Sequence, residues 1–306
     1  MSIRMAAQAG RLVHDRLGAF ASSTVVLLCL TWGLNQVAIK VTNLGLQPVF
    51  QSGLRSLLGA FLVFLWCRYR RIPLARRDGT LVPGVVAGLL FALEFILIYV
   101  ALDFTTVARG IVLIYFAPVV VAVGAHFLIP RERLTAIRVV GLLAAFAGVI
   151  VAFSDKLSLP NPHALIGDAL CLIAAFIWGA TTLVIKASRL IRAPAEKVLL
   201  YQLAVSAPVM LGLAPFFGPL IRSLDWLAGI GLLYQVVIVV AASYIAWFSL
   251  LARYPAGLLS AFTFLTPLFA VAFGAVLLAE PVSPRLILAL GLVAGGIFLV
   301  NRPRPV

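Results

Sequence analysis

Glu94 stands alone in the apolar run LLFALEFILIYVAL. An ionised carboxylate facing lipid at such a position costs at least about 2.5–3.5 kcal/mol on insertion scales. It must therefore face a cavity, pair with a cation or be protonated. A substrate amine or a carried proton would suit it, and a structural hydrogen bond between helices is the alternative. Around it are groups that could grip a ring-bearing, amphiphilic solute. Aligning Tyr99 with Phe248 sets Glu94 opposite Ser243 and Phe95 opposite Tyr244, with Trp247 beside them and Tyr115 on the next run. Trp178 lies too deep in its run for an interfacial belt, so it either packs helices or lines a cavity and stacks on an apolar ligand. Asn35 and Gln36 follow Trp32 by three and four positions, which puts amide and indole on one helix side. Ser243 and Thr263 make weaker polar claims. Pro118 and Pro267 fall in mid-run, where each frees a carbonyl one turn earlier and bends its helix. Such bends suit a gate or the lining of a path.

Catalytic constellations are missing from the same sequence. HExxH is absent, and Glu94 has no partner acid and no Ser/His pair at its depth, so an enzyme is not expected. Cys29, Cys67 and Cys171 lie in or beside apolar runs without a CxxC, and His14, His126 and His163 are scattered. Neither a metal nor a cofactor is expected, and no Gly-rich loop ends in GKS or GKT to bind a nucleotide.

The elements that must position these groups are helices in lipid. Of 306 residues, 63% are apolar and 11% charged, against roughly 45–50% and about 25% in soluble domains. The net charge of +14 comes from short loops, not from a face that could hold nucleic acid. Crossing the hydrocarbon takes roughly 20 helical residues. Ten runs of that size are predicted, at 22–41, 48–67, 80–101, 105–128, 135–153, 164–186, 196–216, 225–248, 255–278 and 284–301. They lack the period-two alternation of a β-barrel. Of the 24 Lys and Arg, 18 fall in the loops on the side of the chain termini and five in the others, with Arg55 inside a run. This bias predicts cytoplasmic termini. Residues 1–21 read as a cytosolic lead-in rather than a cleaved signal peptide. Lys40 and Lys186 are expected to snorkel from helix ends, Arg55 to snorkel or pair with a helix end, and Asp168 to cap the sixth helix.

The runs repeat. TWGLNQVAIK (31–40) and IWGATTLVIK (177–186) share Trp-Gly and Lys at identical spacing, 146 positions apart. YFAPVVVAVGAHFL (115–128) matches FLTPLFAVAFGAVLL (264–278), with Glu132 and Glu280 following and Gly141 and Gly291 opening the fifth runs. Each copy has five spans, an odd number, so 22–153 and 164–301 must sit upside down to each other, the build of a transporter. Gln202 falls near where Arg55 would map, and Pro281 follows Glu280, so the symmetry is imperfect. Gly84-x-x-x-Gly88 and Gly291-x-x-x-Gly295 predict close packing inside the bundle.

The Trp-Gly…Lys pairs, the Arg55 region, the mid-helix prolines, and the Glu132–Thr135 segment ahead of Gly141 and Gly148 resemble the drug/metabolite transporter superfamily, in its EamA-type ten-helix branch. Within it the aromatic content looks most like the aromatic amino-acid exporters. The resemblance implies an all-α integral membrane fold with two inverted five-helix repeats around a central cavity. It also implies an inner-membrane exporter of amino acids, aromatic or otherwise apolar, or of similar small metabolites, working by alternating access. A broad-specificity drug/metabolite exporter, a passive facilitator, and a non-transporting receptor or scaffold are the alternatives. The expected partners are a small-molecule substrate, the bilayer and, if transport is coupled, protons. Coupling would fall to Glu94 or very few other residues. The sequence does not fix an oligomeric state.

Overall fold

The computed structural model describes residues 17–75, 78–102, 104–105, 107–130, 132–157, 163–223, 225–278 and 284–302. The predicted lead-in through residue 16, Glu280 and Pro281 lie outside them. The apolar runs form α1 (Ala19–Gly45), α2 (Pro48–Tyr69), α3 (Leu81–Leu102), α4 (Val107–Ile114 and Ala117–Leu128), α5 (Ala136–Phe153), α6 (Ala164–Ala187), α7 (Ala195–Leu213), α8 (Trp226–Leu251), α9 (Ala256–Phe262 and Leu265–Leu278) and α10 (Arg285–Val300). Among the described residues nine helices have the length and composition to cross a membrane, and α10 is a shorter apolar tenth. Helices are what lipid permits, because each turn satisfies its own backbone. Local signals set the ends. Pro48 opens α2, where its missing N–H costs nothing, and the Gln47 side chain accepts from Phe50 N at 2.6 Å. Leu17 N donates to the Asn301 side chain at 3.0 Å, so both ends of the described chain lie at one end of the bundle, here the terminal end.

Two inverted halves explain the packing. Gly33 of α1 backs onto α9, where an added Cβ would come 2.7 Å from Phe269 Cβ. Its repeat mate Gly179 of α6 backs onto α4, 2.5 Å from Val120. Connections pair in the same way. At the far end the α1–α2 turn meets the α7–α8 loop through Gln47 N to Leu220 O at 3.0 Å and Arg222 N to Gly45 O at 2.9 Å. At the terminal end the α2–α3 loop meets α7 through Asp78 and Lys197 at 2.9 Å. The hydrogen bond from the Thr80 hydroxyl, and then Lys197, hold the Asp78 carboxyl well below the usual carboxylate range. α5 and α10 pack against each other at the periphery, with Gly141 against the Gly296 carbonyl.

Three expectations change. Gly84 and Gly88 do seat Tyr201 and Val205 of α7, but Gly291 and Gly295 face open space. The contact on α10 is made by Gly296, one position along, because the face turned toward α5 is the one carrying Ala289, Val293 and Gly296. The bends in α4 and α9 are full breaks. Turns at 115–116 and 263–264 end one helix, and Pro118 and Pro267 sit in the first turn of the next, where a proline is least disruptive. α8 carries π-helical turns over Gln235–Ser243, which the apolar pattern gave no sign of.

These contacts separate two pairs of glycines. Gly33→Ala and Gly179→Ala are expected to cost about 1–3 kcal/mol each by overpacking. Gly291→Ala and Gly295→Ala should leave the melting temperature of purified protein unchanged or slightly raised. Thermal unfolding in detergent measures both.

Candidate functional site

Between the halves lies a cavity of about 290 Å³. α1 contributes Trp32, Asn35, Gln36, Ile39 and Asn43, and α2 contributes Arg55. Phe91, Glu94, Phe95, Ile98 and Tyr99 come from one side of α3, at the helical spacing that turns them the same way. α4 adds Tyr115, α6 adds Trp178, Thr181 and Thr182, α7 adds Gln202, and α8 adds Tyr244 and Trp247. The cavity thus gathers Glu94, Tyr99, Trp178, Asn35, Tyr115, Tyr244 and Trp247 of the sequence-derived set. Its wall reaches Asn43, near the far end of α1.

Ser243 is the exception and a correction. It is buried behind the wall, where its hydroxyl accepts the Trp32 indole N–H at 2.9 Å and donates to the Val239 carbonyl. The hydroxyl proton is spent on its own helix and one lone pair on Trp32, and Ser243 is not among the residues that line the cavity. Trp32 also stands edge-on to Trp247 and Tyr244, with centroids 5.3 and 6.2 Å away. Its repeat mate Trp178 stands edge-on to Tyr115 at 5.8 Å, but its indole N–H has no hydrogen-bond partner among the described residues. Glu94 occupies the place related to Ser243. The two related corners therefore differ: one is a closed indole–hydroxyl pair, the other an open indole and a carboxylate.

Glu94 is 8% exposed and forms neither a hydrogen bond nor an ion pair among the described residues. It is also the one acidic side chain among the described residues of the wall. Nearby, Asn35 Oδ1 and Arg55 Nε are buried without a partner. Arg55 neither snorkels nor meets a helix end. It is 1% exposed, stacks its guanidinium 4.7 Å from the centre of the Phe95 ring and reaches only Ser52 Oγ, at 3.5 Å. Thr181 and Thr182 were missed from the sequence, although they are the repeat mates of Asn35 and Gln36 at the 146-position offset. That offset could have found them. Gln51 and Gln235 are buried too, but they tie α2 to α8 at 3.0 Å, and Gln235 reaches Thr42 of α1 at 3.1 Å.

Two other charged pairs of the spans are satisfied between helices. Asp168 does not cap α6. It lies in the second turn, pairs with Arg109 of α4 and accepts the Thr105 hydroxyl at 2.7 Å. Lys186 does not snorkel either. Its ammonium lies 3.3 Å from Glu132 and donates to the Leu251 carbonyl at 2.6 Å and to that of Tyr254, while Glu132 accepts Ala256 N at 2.7 Å. This cluster ties α6, the end of α8, the start of α9 and the α4–α5 loop together at the terminal end. Just above it α4 and α9 cross so closely that a Cβ on Gly257 would lie 3.1 Å from Ala122 Cα. No group of three or more His, Cys, Asp or Glu able to hold a metal occurs among the described residues.

Ten apolar helices in two inverted halves around a polar and aromatic cavity define a helical membrane transporter. Comparison with known proteins supplies the family. The model of the EamA-like transporter family matches residues 19–154 and again 165–302. The chain belongs to that family, within the drug/metabolite transporter superfamily. Its relatives include the uncharacterized transporter YoaV of Bacillus subtilis, 27% identical over 90% of this chain and 94% of that protein. They also include a protein of Escherichia coli named "Probable amino-acid metabolite efflux pump", 27% identical over 90% of this chain and 92% of that one. A crystal structure at 20% identity superposes with a TM-score of 0.79, covering 91% of this chain and 94% of the other, and shows the shared fold.

Removing one partner of a buried ion pair strands the other charge and costs about 3–5 kcal/mol. Lys186→Met is expected to destabilise by that order. Adding Glu132→Gln, which keeps an acceptor for Ala256 N, should recover most of the loss. Unfolding of both variants in detergent tests this.

Proposed function

We propose that the protein exports aromatic or other apolar amino acids, or closely similar small metabolites, across the cytoplasmic membrane by alternating access. The observation that carries this reading is Glu94, a carboxylate without a partner in a cavity walled by Tyr99, Tyr115, Trp178, Tyr244 and Trp247. An ammonium group would neutralise the carboxylate, and an aromatic or aliphatic side chain would bury against the rings. The name of the Escherichia coli relative, an amino-acid metabolite efflux pump, points the same way. The excess of Lys and Arg in the loops at the terminal end supports cytoplasmic termini, which would put the Lys186–Glu132 pair on the cytoplasmic side. In this reading residues 22–153 and 164–301 rock against each other, and the breaks at Pro118 and Pro267 let α4 and α9 bend as gates. Glu94 serves the amine and carries any proton exchanged for it. If it carries none, the protein is a facilitator driven by the solute gradient.

Purified protein in liposomes, given labelled phenylalanine or tryptophan down a gradient, is expected to pass label well above empty vesicles. Glu94→Gln should cut that flux at least tenfold. Absence of flux for every amino acid in a panel would refute the substrate class. Unchanged flux in the variant would remove Glu94 from the mechanism. Alkalinisation of the lumen during uptake would mark proton exchange, and a constant lumenal pH would mark facilitation.

A further inference from the structure

We infer that Arg55 is the second pole of the binding site and receives an anionic group of the solute, so that the cavity selects molecules carrying a cation and an anion one carbon apart, as an α-amino acid does. This rests on the reading of Glu94 given above and adds a requirement to it.

Arg55 can be compared with two other cations of the spans, buried Lys186 and half-buried Arg109. Lys186 is held by Glu132 and two carbonyls, and Arg109 by Asp168 and the Leu157 carbonyl. Among the described residues Arg55 has no carboxylate of its own. A ring face and a distant hydroxyl are its neighbours, and its Nε is orphaned although the side chain is 1% exposed. A guanidinium has five donors and cannot escape the cost of burial by losing its proton. It therefore calls for an acceptor, and the wall it shares with Glu94 is where one can arrive.

The geometry fits one ligand chemistry. The guanidinium stacks on Phe95, and Arg55 and Glu94 line the same cavity. Among the described residues they do not close into an ion pair. Opposite charges left apart in a low-dielectric site act as a socket for a dipolar ligand, with its carboxylate on Arg55 and its ammonium on Glu94. The unpartnered Asn35 Oδ1 supplies a further acceptor for the ammonium. An amine without an anionic group would enter beside an unneutralised guanidinium, and an acid without an amine would meet Glu94. Each is rejected by the pole that it leaves unpaired.

The test is competition against labelled phenylalanine flux in proteoliposomes. Unlabelled phenylalanine should compete at least tenfold more strongly than phenylalaninamide, phenethylamine or 3-phenylpropionate. In Arg55→Gln, phenylalanine should fall to the level of the amide while the amide keeps its own affinity. Arg55→Lys should restore part of the gap. If the amide competes as well as phenylalanine in the unmodified protein, the role of Arg55 is overturned and the amino-acid reading stands. If Arg55→Gln weakens both ligands equally, its effect is structural and the inference fails. If that variant does not fold, the competition series in the unmodified protein decides alone. If no amino acid moves at all, the transport reading itself falls, and the inference falls with it.

Discussion

Close approach of helix backbones is the interaction on which this bundle depends. In lipid an apolar side chain gains little by leaving one hydrocarbon surface for another, so burial of leucines does not drive helices together as it does in water. Dispersion between surfaces that come very near must do so instead. Gly33 against Phe269, Gly179 against Val120 and Gly141 against Gly296 permit that approach, and the inverted relation makes the first two the same contact seen from opposite sides of the membrane. Of the helices these glycines bring together, α1, α4 and α6 line the cavity, and α9 packs behind α1. Its shape follows from where side chains are absent.

The same solvent judges every polar group. Arg109 with Asp168, Lys186 with Glu132, and the Gln51–Gln235–Thr42 chain are each answered from another helix. Such clusters fix register between helices as much as they add stability. Against that background, groups without answers stand out. Glu94, Arg55, Asn35 and Trp178 share one wall, and the repeat-related corner, where Trp32 bonds to Ser243, shows what a closed version looks like. Duplication provided two equivalent corners, and the two have diverged into a support and an opening.

How far this could be read from sequence depends on what each residue packs against. The repeats were legible because the Trp-Gly…Lys and Pro motifs are the parts that keep the scaffold together, and the scaffold is what both copies share. Glu94, Tyr99, Tyr115, Trp178, Tyr244 and Trp247 were legible as cavity residues from depth and spacing alone. Partners across the bundle were not. Lys186 looked like a snorkelling end because Leu251 lies 65 positions away, and Ser243 looked available because Trp32 is 211 positions distant. Arg55 was expected to snorkel or pair with a helix end because nothing in its neighbourhood reveals that it lies over Phe95. Gly291 and Gly295 were misread because the packed face of a helix with apolar residues all round cannot be phased from composition.

The crossing of Gly257 over Ala122 carries a further meaning. The contact at that crossing is main chain and one methyl group, with Glu132 fastened to the Ala256 amide beside it. That contact cannot be relieved by changing a rotamer. Parting the two backbones at that point therefore takes displacement of a helix segment, a slower and rarer event than the rotamer change that frees a side chain.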